Sequence, residues 1–196
     1  MIKRYTVLDI LKLKPCQGYD TVEKIKYLLP PRRTRLSLLE ILELNVSALD
    51  KLWLGSRLLP VRFVRELVVD CVESGFPAAD WCGAIYDKRM RRCIDMVRKY
   101  LDGHATLKEL SCAASAAASA ARDVYVTSHG RCNAMYCAAW AVRLAAKTAW
   151  VTASEVPNAA WEALVEACRA GVGAPDQVEL LRLYAVLAED SLKEPI

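Results

Sequence analysis

Along this chain a Ser, Thr or Asp repeatedly stands three residues ahead of an acidic side chain, and that spacing marks where helices begin. Thr6 with Asp9, Asp20 with Glu23, Ser37 with Glu40, Ser47 with Asp50 and Thr106 with Glu109 all have it. The first N–H groups of a helix have no acceptor within the helix. A short side-chain oxygen at the cap accepts from one of them, and the acid three residues on accepts from the cap's own N–H. Four such starts before residue 51 leave no length for long helices, so the N-terminal part is read as several short ones.

Longer helical patterns follow. Pro60 suits a first turn, and Val64, Leu67, Val68 and Cys71 continue at helical spacing to a stop at Gly75 and Pro77, with a second segment from about Ala78. From Tyr86 to Leu101 the residues Met90, Ile94, Val97 and Leu101 mark one face, and Asp102-Gly103 ends the pattern. Residues 107 to 126 and 131 to 153 are Ala-rich helices separated by Thr127, Ser128, His129 and Gly130, an antiparallel hairpin. Small side chains let helix axes approach closely. The hairpin is therefore expected at the tight centre of the fold, with Trp140, Trp150 and Trp161 supplying bulk.

Two more helices are read, from about Pro157 to Arg169 and from Pro175 or Asp176 to Glu189. Nothing alternates with period two for long enough to ask for a sheet. The reading is all-α, a single compact multi-helix domain. Short helices fill a lobe over 1–58, an Ala-rich helical bundle fills 59–196, and the two form one cooperative unit. A chain of 196 residues, 54% hydrophobic and 26% charged, has the composition of one folded domain and not of a disordered one.

The first fourteen residues mix Lys3, Arg4, Asp9, Lys12 and Lys14 with apolar ones, so no secretory h-region is read. The most apolar stretch, 134–153, is broken by Arg143 and Lys147 and is mostly Ala, too weak for a membrane span. A cytoplasmic protein is expected. The eight cysteines form no CxxC pair and are read as small buried hydrophobes, with Cys112, Cys132 and Cys137 buried inside the hairpin.

The residues of catalysis are scarce. The two histidines, His104 and His129, fall at expected inter-helix turns without a matched carboxylate. His129, Cys132 and Cys137 match no common zinc spacing, and there is no phosphate-cradling glycine loop or nucleophile elbow. The reading is a non-enzymatic protein needing no cofactor and no metal. Charge is uneven: residues 1–100 carry 19 Lys and Arg against 12 Asp and Glu, whereas residues 101–196 carry 8 against 11. Part of the excess lies in Arg32-Arg33-Thr34-Arg35, and a denser part in Lys88, Arg89, Arg91 and Arg92, followed by Arg98-Lys99. The expected partner-binding residues are Lys88, Arg89, Arg91, Arg92 and Arg98, facing an acidic partner. The plainer alternative is a solvated helix whose arginines pair with Asp87 and Asp95. Nucleic acid is a second one, though no recognition motif for it is readable.

Leu8-x-x-Leu11 with Pro15-Cys16, the segment Ser37-Leu38-Leu39-Glu40-Ile41-Leu42, and Asp50-Lys51-Leu52-Trp53 resemble the N-terminal helices of a family of Ala-rich bacterial and bacteriophage proteins. These are labelled immunity proteins because members occur beside toxin genes. The stretch Asp87-Lys88-Arg89-Met90-Arg91-Arg92-Cys93-Ile94 resembles the family's Asp-x-Arg-Pro-Arg-x-Ala-Ile segment, with Met90 where the family often has Pro. The resemblance covers roughly residues 5 to 155 and carries no active site with it. It implies an all-helical inhibitor of a protein partner, either a toxin or a bacterial defence effector; a phage structural or assembly protein is the remaining alternative.

Overall fold

A computed structural model of the chain describes residues 3–15, 17–74, 88–127, 133–170 and 173–191. They fold into ten α-helices, one 3-10 turn (Gln17–Tyr19) and a ladder of two short strands. Helix α1 (Val7–Lys12) starts on Thr6 as the spacing predicts: Thr6 N–H donates to Asp9 Oδ2 at 2.9 Å, and Asp9 N–H donates back to Thr6 Oγ1 at 3.2 Å. Helix α3 (Leu38–Leu42) repeats the exchange with Ser37 and Glu40, and α4 (Ala48–Leu58) is capped by Ser47. Helix α2 (Val22–Leu28) differs by one residue. Its cap is Thr21, whose hydroxyl accepts from Lys24 N–H, while Asp20 pairs with the Lys24 ammonium at 2.6 Å.

Strands β1 (Tyr5–Thr6) and β2 (Arg35–Leu36) pair antiparallel, Tyr5 opposite Leu36 and Thr6 opposite Arg35. Two residues a strand are too few to print a period-two pattern. The ladder exists because Tyr5 and Leu36 are both buried and because the Tyr5 hydroxyl donates to the Leu58 carbonyl at 2.9 Å, anchoring β1 to the end of α4.

The larger helices are α5 (Val61–Ser74), α6 (Lys88–Leu101), α7 (Leu107–Thr127), α8 (Asn133–Trp150), α9 (Val156–Arg169) and α10 (Ala174–Ser191). Helix α5 begins one residue after Pro60, whose carbonyl accepts from Val64 N–H. Helix α6 ends as Asp102-Gly103 foretells: Gly103 has φ +76°, His104 N–H reaches Lys99 O at 2.7 Å and Gly103 N–H reaches Tyr100 O at 3.1 Å. That pair of bonds satisfies two carbonyls the helix leaves open, and it needs a left-handed residue at this position. The segment expected from Ala78 lies outside the described residues, as do Ser128, His129 and Gly130 of the hairpin turn and Cys16, Cys82 and Cys132.

Helix α8 occupies the centre, in contact with α5, α6, α7 and α9. Its most extensive partner is α9, and there the small-residue interface is found: Ala141, Ala145, Ala146 and Ala149 of α8 and Ala159, Ala160, Ala163 and Ala167 of α9 are all buried. Helices α7 and α8 do pack extensively on each other as expected, but the tightest small-residue packing lies between α8 and α9. Helix α7 touches mainly α6 and α8, and among its described side chains only Leu110, Ala117 and Ala120 are buried. Spaced seven and three residues apart, they trace one narrow stripe, and Cys112 falls on the opposite side, exposed. Cys137 is only half-buried, so neither it nor Cys112 is the fully buried thiol expected.

The tryptophans are corrected likewise. Trp140 and Trp161 are half-buried and Trp150 is 50% exposed; the bulk comes from Leu52, Leu67, Met90, Ile94, Leu110, Leu164 and Leu181, each fully buried. An indole is too large to seat between alanine-lined axes and lies along their edges instead. Helix α10 closes against α3, α4 and α5. It reaches α4 because Gly55 presents no side chain to Leu181, whose branched end occupies the space where a Cβ would stand.

Candidate partner-binding surface

In α6 the buried residues are Met90, Cys93, Ile94 and Val97, at spacings of three and four, and every basic residue is therefore pushed outward. At roughly 100° per residue, Arg91 and Arg98 share one face beside the stripe, and Arg89 and Arg92 form a neighbouring one. The contacts follow that division. Arg98 turns to α5, donating to Asp70 Oδ1 at 2.8 Å and making a close contact with Glu73. The Tyr184 hydroxyl of α10 donates to the other Asp70 oxygen at 2.5 Å, so one carboxylate joins three helices. Hydrogen bonding to Glu73 strengthens the Arg98 charge, and burial first, then Asp70, push the Tyr184 hydroxyl upward.

Arg89 turns the other way and meets Asp123 of α7 at 2.7 Å. Two of the five expected residues thus reach carboxylates on other helices; Asp95 pairs with neither, and Asp87, the other local partner considered, lies outside the described residues. Lys88, Arg91 and Arg92 are exposed. Arg92 and Lys108 border a groove of about 430 Å³ between α6 and α7, with Met96 and Cys112 in its lining.

A larger groove, about 770 Å³, lies on the other side of α7, and the sequence reading passed over it. Its floor is Ser111, Ala114, Ser115 and Ala118, which recur at helical spacing; its walls are Trp140, Arg143, Lys147 and Trp150 of α8, with Arg122 at one end and Leu107 at the other. The Arg143 guanidinium lies over the Trp140 ring at 4.5 Å, and Lys147 meets Glu162 of α9 at 3.7 Å. Three cations against one acid leave this groove positive. The legible signal was the spacing of Trp140, Arg143, Lys147 and Trp150. Steps of three and four put them on one side of α8, where Arg143 and Lys147 had been read only as interruptions of an apolar run.

Among the described residues no three His, Cys, Asp or Glu side chains converge as metal ligands would. His104 is exposed, one residue past the end-cap of α6. No helix among them is long and apolar enough to cross a membrane. Compared with family models, with curated proteins and with solved structures, the chain finds no match.

Proposed function

We propose that this protein is a non-enzymatic inhibitor that binds and neutralises an acidic protein partner, a toxin or a bacterial defence effector, through the surface built by α6, α7 and α8. The observation that carries the reading is the pair of positive grooves on the two sides of α7, one bordered by Arg92 and Lys108, the other by Arg122, Arg143 and Lys147. Helix α7 stands between them with a row of small, partly exposed residues, so a partner can approach closely along its length. Trp150, half exposed beside the exposed Leu107, supplies the aromatic anchor typical of an energetically dominant contact. The resemblance to Ala-rich immunity proteins supports the same reading. Within it, Arg89 and Arg98 hold the surface in shape, and Lys88, Arg91 and Arg92 steer the partner.

The test begins with recovery of the partner from the native host and continues with binding kinetics. Reversing Arg91 and Arg92 to Glu is expected to slow association by about tenfold at low salt, and to flatten its salt dependence, with the helical signal unchanged. Trp150→Ala is expected to speed dissociation instead. Association that ignores both the salt and the charge reversal would remove α6 from the interface. Binding of single-stranded nucleic acid with a steep salt dependence, and of no protein, would overturn the reading altogether.

A further inference from the structure

A second cavity, about 430 Å³, lies among α1, α2, α3 and α4, away from the basic grooves. Ile10, Ile25, Ile41 and Leu54 form its apolar wall, with Trp53 on α4 and Trp161 on α9. Of the described residues around it, Asp50 alone carries charge. Its Oδ2 accepts from the Ser47 hydroxyl at 2.6 Å and from the Tyr19 hydroxyl at 3.3 Å, and no donor meets its Oδ1 among the described residues. The cavity is thus an apolar chamber with one anionic pole, held in place by two hydroxyls.

The geometry points to a binding site for a small primary amine on an apolar body. A carboxylate with an open oxygen at the edge of an apolar chamber attracts a ligand ammonium and repels a ligand carboxylate. The volume lies within the range of ordinary ligand pockets. An aromatic body matches the two indoles.

Three probes of one shape separate the contributions: phenylbutylamine, phenylbutanol and phenylbutyrate, titrated into the intact protein and followed by the indole N–H resonances. The amine is expected to bind saturably and about tenfold tighter than the alcohol, the ratio expected when a charge-assisted hydrogen bond replaces a neutral one. Phenylbutyrate is expected to bind weakest. Trp53 and Trp161 are expected to shift, and Trp140 and Trp150 to stay in place. Asp50→Asn is expected to bring the amine down to the alcohol's affinity. Because Asp50 also sits in the first turn of α4, Val46→Trp, which fills the chamber from its rim, serves as a second variant and is expected to abolish binding with the helical signal intact. Equal affinity of amine and alcohol for the unmodified protein, absence of saturable binding, or undiminished binding to the Val46→Trp protein would each overturn the proposal.

Discussion

Cys112 and Cys93 differ in surroundings far more than in sequence context. Burial pushes the Cys93 thiol up to about 12, and drives the fully buried Cys71 thiol higher still. Cys137, half-buried, is pushed up to about 11, by burial first and then by its hydrogen bond with Glu166. A thiol reagent attacks the thiolate, so both access and thiolate fraction fall in the buried sites. In native protein at pH 8, Cys112 is expected to label within minutes, Cys137 more slowly, and Cys71 and Cys93 only after denaturation, as peptide mapping of the labelled protein will read. Labelling of Cys93 at the rate of Cys112 would contradict the packing of α6. This is the scale at which the sequence was least legible. An alanine-rich helix has no strong apolar stripe, and its leucines do not by themselves say which side of α7 faces inward: Leu110 is buried, Leu107 is half exposed, and Cys112 falls on the exposed side. The groove shows the same weakness: spacing puts Trp140, Arg143, Lys147 and Trp150 on one side of α8, but it does not tell a core indole from an edge one.

Helix ends were far more legible, because caps are local chemistry. Thr6, Ser37, Ser47 and Thr106 all cap as their spacing predicts, and Gly103 ends α6 in the left-handed conformation. Thr21 displaced Asp20 at α2 because both are competent caps and only the backbone path chooses between them. What no local pattern could reveal is a cap supplied from elsewhere. Arg65 of α5 donates through Nε to Thr148 O at 3.2 Å and through Nη2 to Val151 O at 2.8 Å, closing carbonyls at the end of α8 from a distance of 83 residues in sequence. Arg65→Met keeps most of the stem packing and removes both bonds. Urea denaturation is expected to show a loss of about 2 kcal/mol, in the range for hydrogen bonds to charged groups. Arg65→Lys is expected to recover only part, because a single ammonium cannot span both carbonyls with the geometry of a planar fork. A loss below about 0.5 kcal/mol for Arg65→Met would mean water serves those carbonyls equally well.

At the scale of the whole molecule, one cluster of buried apolar side chains runs from Tyr5 to Ala188. The short helices α3 and α4 contribute Ile41, Leu42 and Leu52 to it, and α10 contributes Leu181 and Ala185, so the N-terminal helices share their core with the C-terminal ones. The all-helical class was readable from the sequence, since capped segments of period 3.6 fill most of the chain. The order of packing was not, because every helix that meets α8 has a plausible apolar face and only the tertiary fit selects among them. A core continuous between the two ends predicts one melting transition. Denaturant titrations followed by far-UV ellipticity, and by the fluorescence of a variant keeping only Trp53, are expected to coincide. Separate midpoints would divide the chain into two units.

The approach of Leu181 to Gly55 also sets an order of events during synthesis. Helices α3, α4 and α5 leave the ribosome with their apolar faces complete, yet α9, which covers part of them, begins 82 residues after α5 ends, and α10 follows later still. At the usual pace of translation that interval is about four to sixteen seconds. Through it the nascent chain carries Leu52, Leu67 and their neighbours without the helices that bury them. A core completed only when α9 and α10 emerge thus leaves the nascent chain with apolar faces uncovered for most of its synthesis, the stage at which aggregation competes with folding.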